Sequence, residues 1–263
     1  MDGYLSYLEP GDTGVHGVAM KKWYPKLSSV DFRLLHTGWA HSDAILITAS
    51  ELRNEPEAQI RVLFDDLIEY RQRVLKKPPQ PYLVILTRTG DIPAAHPVFH
   101  PPNAQPTHCG YPIVIATTTA GLARLPVAEL NAAGNVPTAI AFDRPNGEPG
   151  VCFQSLFAHL RTNCGIQHVD CGTGGDVIQQ LLCEKYIDEM RITLAGQLGG
   201  AWNSEGKRRP HFFPARDISP VKGGGSKDKH LFTSENAPHL EIQGIRTAGK
   251  RLVFMRMGVT YRH

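Results

Sequence analysis

The stretch Gly165–Gly200, GIQHVDCGTGGDVIQQLLCEKYIDEMRITLAGQLGG, decides the reading of this chain. Ile166 to Cys171 reads as a short buried strand, and Gly172-Thr173-Gly174-Gly175 turns sharply out of it. Asp176 is then placed to cap a helix whose apolar face carries Val177, Ile178, Leu181 and Leu182 and which ends near Lys185. From Ile187 a second strand follows, with Met190, Ile192 and Leu194 alternating with Arg191 and Thr193. The expectation is one βαβ unit with a glycine turn at the helix N-terminus. Glycines let a ligand approach the backbone, and free N–H groups with the helix dipole favour an anion such as pyrophosphate. On the local pattern alone, Gly174 and Gly175 read equally as a plain turn.

Outward from this unit, apolar runs alternate with helical or loop segments. Asp43 to Ile47, Tyr82 to Thr87, Ile113 to Thr117 and Thr138 to Phe142 read as strands of a mainly parallel sheet with helices on both faces. Ser28 and Ser29 cap a helix expected to bury Phe32, Leu35 and Trp39. The spacing of Ile60, Leu63, Phe64, Leu67, Ile68, Val74 and Leu75 predicts a long amphipathic helix over 58–76, stopped by Pro78-Pro79. Another helix is expected over 151–163. Leu240 to Ile245 and Arg251 to Val259, around Ala248-Gly249, predict a C-terminal antiparallel hairpin. Met1 to Lys26 reads as glycine- and proline-punctuated loop. Residues 201–230, with Lys207-Arg208-Arg209 and Gly223-Gly224-Gly225, are expected to form a mobile surface loop or a basic clamp for a phosphate.

At 263 residues and 41% hydrophobic composition, the chain suits a single α/β domain over 1–263. A net charge of +3 is too mild to argue for nucleic acid. There is no apolar run near the roughly 18 residues a membrane helix needs, and no basic-then-apolar leader. The five cysteines include no CxxC pair, which points to a reduced, cytoplasmic compartment. His96, His100 and His108-Cys109 match no common zinc spacing, so no metal is expected.

Six segments together resemble the reductase domain of the riboflavin-pathway deaminase-reductases, which has a dihydrofolate reductase-like fold. Asp2-Gly3 is similar to the end of that family's S-x-D-G motif. Ser42 to Leu46 resembles its second strand, and Leu52-Arg53-Asn54-Glu55 the turn after it. Pro81 to Gly90 resembles its third strand and cofactor loop, Thr173-Gly174-Gly175 its E-G-G, and Tyr186 to Met190 its L-V-D-E-[LM] run. The resemblance implies a homodimer and NADPH as cofactor. Thr173, Gly174, Gly175 and Asp176 would meet the pyrophosphate. Thr87, Arg88 and Thr89 would lie near the adenosine ribose, with Arg88 on a 2′-phosphate, and Thr48 near the cofactor backbone. Asp2 and Arg53 would face the substrate, with Glu51 or Glu55 as the acid; apart from the resemblance, Trp39 reads as core packing or, as a substrate contact, as an aromatic stacked on a flat ring at the cleft edge.

The chain also departs from that family. A strand precedes S-x-D-G there, whereas this sequence starts at Met1-Asp2; either the strand is missing or the start lies upstream. The family's G-x-G-T is Thr48-Ala49-Ser50-Glu51 here, and an arginine that holds ribose phosphate is Trp39. The expected function is NADPH-dependent hydride transfer to the C=N or C=O of a small pyrimidine- or pterin-like heterocycle. The alternative is a non-reductive relative, a ligand-binding protein or repurposed enzyme.

Overall fold

The computed structural model describes residues 28–100, 111–195, 232 and 237–261. Asp2, the first 27 residues generally and 201–230 lie outside them. The chain divides into two compact units, 32–173 and a second made of 174–263 with the chain up to Asp31.

The first unit begins in helix α1 (Ser28–His41) and continues β1 (Ala44–Thr48), α2 (Ala49–Asn54), α3 (Asp65–Arg73) and β2 (Tyr82–Leu86). It goes on through β3 (Ile113–Thr117), α4 (Thr119–Leu122), α5 (Val127–Asn131), β4 (Thr138–Ala141), α6 (Phe153–Cys164) and β5 (Val169–Cys171). The five strands form a sheet in the order β4-β3-β2-β1-β5, parallel at every junction. The three central strands are the apolar runs AILIT, YLVIL and IVIAT, buried on both faces as strands covered by helices must be. Ile45, Leu83, Ile85 and Ile115 are fully buried there.

Two expectations for this unit are corrected. Helix α1 forms, but it buries Trp39 while Phe32 and Leu35 stand 45% and 43% exposed. The helix over 58–76 shrinks to α3. Its first half is irregular because the Gln80 side chain accepts the Val62 amide at 2.8 Å and donates to the Val62 carbonyl at 2.9 Å. That pairing replaces helical bonds, while Ile60 and Phe64 still pack on the core.

Arg71 of α3 is buried and bonds four carbonyls. Its Nη1 donates to the Trp39, Ala40 and Ser42 carbonyls and its Nε to Pro78 at 2.6 Å. This fixes the α1–β1 turn, where α1 leaves its last carbonyls without helical partners. Asp43 closes the same end of the sheet. Its carboxylate accepts the Gln167 and His168 amides at 2.9 Å and pairs Lys77 at 2.7 Å.

The second unit holds α7 (Gly175–Cys183), β6 (Glu189–Ala195), β7 (His239–Ala248) and β8 (Leu252–Thr260). The hairpin forms as expected, turning at Gly249 with φ +58°. β6 pairs antiparallel with β8 in a separate three-stranded sheet, order β6-β8-β7. The expected βαβ unit is therefore corrected: α7 connects two different sheets. Among the described residues no helix is long and apolar enough to cross a membrane.

Candidate functional site at the carboxyl edge of the parallel sheet

β1 lies between β2 and β5, and β5 is its neighbour only through a long crossover. In open parallel sheets, ligands gather at the carboxyl ends of strands beside such a reversal. The strand ends there are Thr87 after β2, Thr48 at the end of β1, and Gly172-Thr173 after β5. These are three of the positions expected to bind a cofactor.

Thr48 is the N-cap of α2 in a reciprocal capping box. Its amide donates to Glu51 Oε2 at 2.6 Å, and the Glu51 amide donates to Thr48 Oγ1 at 3.3 Å. A family resembling this one has glycines here; this chain has a closed cap. Glu51, expected as an acid, spends its carboxylate on that cap.

Glu55 closes α2 as its C-cap, its amide on the Glu51 carbonyl at 2.8 Å. Its carboxyl is half-buried, and burial raises its pKa above the ordinary value. The Glu55 carbonyl meets His96 Nε2 at 2.9 Å. Because His96 Nδ1 accepts the Val98 amide at 3.2 Å, Nε2 carries the proton and donates. Burial lowers the His96 pKa, keeping the ring neutral. Of the two candidate acids, Glu55 is the one whose burial shifts its carboxyl toward the protonated form.

Arg53 is turned to structural use: its Nη1 donates to the Asp91 carbonyl at 2.7 Å and stands 3.1 Å from the Asp91 carboxylate. It ties α2 to the loop after β2. In that loop Thr87 Oγ1 accepts the Gly90 amide at 3.1 Å, and the Arg88 carbonyl accepts Thr118 Oγ1 at 3.0 Å. The side chains of Arg88 and Thr89 are exposed. The turn is thus rigid in backbone and leaves a guanidinium and a hydroxyl for a ligand.

At the end of β5, the Gly172 amide donates to the Leu46 carbonyl at 3.0 Å, extending the ladder by one bond. Thr173 follows, its Oγ1 buried and without a hydrogen-bond partner among the described residues. Next along the chain, Gly174 is the N-cap of α7. This corrects the expected cap: Asp176 lies inside the first turn, and no side chain caps the helix. Gly174 has φ −67° and ψ 167°, open to any residue, and a Cβ built on it meets nothing within 4 Å. Neither backbone strain nor packing within the chain demands a glycine there.

Trp39 does not come to this edge. It sits in the core at the far end of α1, against His36 with ring centroids 4.7 Å apart, and its carbonyl is held by Arg71. Cys171 is no nucleophile: burial pushes its thiol up to about 12. Among the described residues no group of three potential metal ligands forms.

Sequence reasoning missed the β3–α4 corner. Thr118 caps α4 through the Gly121 amide at 3.0 Å, and the Thr119 amide donates to Asp143 Oδ1 at 2.9 Å. The signal was present: three consecutive threonines end an apolar strand, and the middle one stands three residues before Gly121.

No family model matches the chain, and no curated protein is significantly similar to it. Solved structures do share its fold. A pyrimidine reductase-like protein from Corynebacterium diphtheriae aligns with TM-score 0.56 at 18% identity, over 87% of this chain and 80% of the other. Acinetobacter baumannii RibD aligns with TM-score 0.61 at 16% identity over 99% of this chain, which spans 55% of that protein. The riboflavin biosynthesis reductase of Saccharomyces cerevisiae aligns with TM-score 0.54 at 13% identity, over 99% of this chain and 85% of the other. The parallel sheet with flanking helices and a separate antiparallel sheet is the fold of these reductases.

Proposed function

We propose that this chain is an NADPH-dependent reductase of a small heterocycle, pyrimidine- or pterin-like, acting as a homodimer in the cytoplasm. The observation that carries the reading is the Thr173-Gly174 pair. A buried hydroxyl without a partner is followed by a glycine that the chain's own conformation does not require, at a helix N-terminus. A polar group left unsatisfied inside a protein is costly, so a ligand atom there recovers the loss. A pyrophosphate fits, since α7 adds unpaired N–H groups and the positive end of its dipole.

In this reading Thr173, Gly174 and Gly175 hold the pyrophosphate, and Arg88 with Thr89 holds the adenosine ribose and its 2′-phosphate. The bound cofactor would supply a hydride to the carbon of a C=N or C=O bond. The Glu55 carboxyl gives its proton to the nitrogen or oxygen, so the double bond takes up one hydride and one proton, a two-electron reduction that leaves Glu55 as a carboxylate. His96 keeps the Glu55 backbone in place and stays neutral. Arg53 fixes the loop after β2 rather than touching substrate.

One observation favours a second reading. The capping box of Thr48 and Glu51 fills the stretch where a glycine pair would let the nicotinamide half approach. A protein with that cap would bind the adenosine end and move no hydride. Calorimetric titration with NADPH, followed by NADPH oxidation over a panel of pyrimidines and pterins, separates the two. Binding with turnover supports the reductase and rejects the second reading, whereas binding without turnover, or no binding at all, rejects the reductase and supports a non-reductive relative.

A further inference from the structure

The arginines around the carboxyl edge of the parallel sheet are of two kinds. Arg53 is spent on Asp91, 2.7 Å from its carbonyl and 3.1 Å from its carboxylate. Arg144 gives its Nε to the Val151 carbonyl at 3.3 Å and faces Glu148 at 3.8 Å, with its side chain only 13% exposed. Arg88, after β2, and Arg124, after α4, are both exposed. Among the described residues neither of their side chains enters a hydrogen bond or an ion pair. The carboxylates of this edge are already taken. Asp91 is paired with Arg53, and Asp143 accepts the Thr119 amide at 2.9 Å together with the Thr119 hydroxyl.

The two unpaired guanidinium groups are rooted at one point. A Cβ built on Gly90 would overlap the Gly121 carbonyl oxygen and stand 3.3 Å from Arg124 Cβ; one built on Gly121 would stand 2.7 Å from the Arg88 carbonyl oxygen. The Gly90–Gly121 contact therefore lies between the Arg88 backbone and the stem of Arg124. Thr118 locks it, giving its hydroxyl to the Arg88 carbonyl and accepting the Gly121 amide, both at 3.0 Å. Two cations without a counterion thus rise from a rigid base, so a ligand that they meet has little backbone to order. Each presents the planar fork that suits a phosphate.

We propose that Arg124 is the second arm of a clamp with Arg88, the two guanidinium groups gripping the 2′-phosphate of an adenine dinucleotide between them. The proposal rests on the cofactor reading above and adds to it a residue from a different strand–helix corner. The charges match, since a phosphate monoester carries close to two negative charges near neutral pH. A single exposed guanidinium on a phosphate is a surface pair weakened by solvent. With two arms on one phosphate, loss of either removes most of the preference that the phosphate confers.

The test is calorimetric titration of the full chain with adenosine 2′,5′-bisphosphate and adenosine 5′-monophosphate, which differ only in the 2′-phosphate. The parent should bind the bisphosphate about tenfold or more tighter. Arg124→Ala keeps the Cβ beside Gly90 and removes the guanidinium. It should erase most of that preference while monophosphate affinity and melting temperature stay within error. Arg124→Lys, which keeps the charge without the fork, should recover part of it. A preference that survives Arg124→Ala but is lost in Arg88→Ala overturns the clamp and leaves the cofactor reading standing. Equal affinities in the parent, or no binding of either nucleotide, overturn the clamp and the 2′-phosphate contact together. An equal loss for both nucleotides in Arg124→Ala marks a damaged turn and overturns the clamp. If the alanine chain does not fold, Arg124→Gln takes its place; failure of both to fold makes the side chain structural and overturns the proposal.

Discussion

Gly90 and Gly121 lie backbone to backbone, locking the turn after β2 against the start of α4. A Cβ on Gly90 would overlap the Gly121 carbonyl oxygen; one on Gly121 would overlap Thr117 Oγ1 and stand 2.7 Å from the Arg88 carbonyl. Gly90 also has φ +75°, which side chains rarely adopt. The contact sets the height of the Arg88 turn at the sheet's edge. Gly121→Ala and Gly90→Ala are each expected to cost about 1–3 kcal/mol through overpacking, with added backbone strain for Gly90. Urea denaturation measures this. A loss below experimental error would mean that the two turns part freely.

Glu51 and Glu55 lie one helical turn apart and have opposite environments. Glu51→Ala removes half of a capping box and should lower stability by about 1 kcal/mol. Glu55→Gln should leave cofactor affinity in place and reduce turnover about 10²–10⁴-fold, the usual contribution of a general acid. Burial raises the Glu55 pKa. The stability this proton provides is present below the unfolded value and lost as pH rises through the folded one. The parent chain should therefore lose stability relative to Glu55→Gln as pH climbs through that window. Full turnover in the Gln variant would remove Glu55 from the chemistry.

His36 is 0% exposed, among the rings of Phe32, Trp39 and Phe64 at centroid distances of 4.3, 4.7 and 5.2 Å. Its Nδ1 accepts the Leu63 amide at 3.3 Å. Burial pushes its pKa down to about 4, against a smaller opposing pull from the Arg61 backbone. A depressed base adds stability that is present above its unfolded value near 6.5 and lost as pH falls to about 4. The swing is roughly 3 kcal/mol at one unit per 1.36 kcal/mol. His36→Gln should flatten that part of the stability–pH curve, leaving a smaller slope of the same sign from His96. Identical acid slopes in parent and variant would show that His36 titrates freely.

Gly174→Val separates ligand from fold. The backbone angles suit a branched residue and the space around the position is open, so melting should change little. A ligand approaching the start of α7 would meet the valine, and NADPH affinity should fall at least tenfold. Unchanged affinity would make the glycine a spectator.

The central sheet was legible because strands buried on both faces must be continuous apolar runs, and AILIT, YLVIL and IVIAT admit no other reading at their length. The helix over 58–76 was misread because its periodicity served packing without helical bonds; the partner that replaces those bonds, Gln80, lies 18 residues from Val62. Asp176 was a fair cap by residue type, but capping depends on which residue stays extended, and that is Gly174. Trp39 was expected in the core from its place on α1, and its burial bears that out, while the alternative of a ring at the cleft edge on the substrate side is not met. Burial of His36, Arg71 and the Glu55 carboxyl is a product of tertiary packing, and no local pattern announces it. Thr48 and Thr87 were legible as strand ends because each follows an apolar run directly, whereas Thr173, two residues beyond Cys171, was placed by likeness.

In the proposed cofactor site, Arg88 is the residue expected to set the preference between NADPH and NADH. Its backbone is fixed by Thr118 and by the Gly90–Gly121 contact, while its guanidinium is exposed. A 2′-phosphate there gains a charge-assisted contact of about 1.5–3 kcal/mol, a preference for NADPH over NADH of roughly ten- to hundredfold. Arg88→Ala should erase most of it by weakening NADPH alone, with NADH affinity unchanged. Because the side chain touches solvent, the melting temperature should stay within error, which distinguishes a lost contact from a damaged turn. Gly121→Ala should act differently, shifting the turn and lowering affinity for both cofactors together. Calorimetric dissociation constants for the two cofactors in the parent and both variants test this. Equal affinities in the parent, indifferent to Arg88, would reject the phosphate contact.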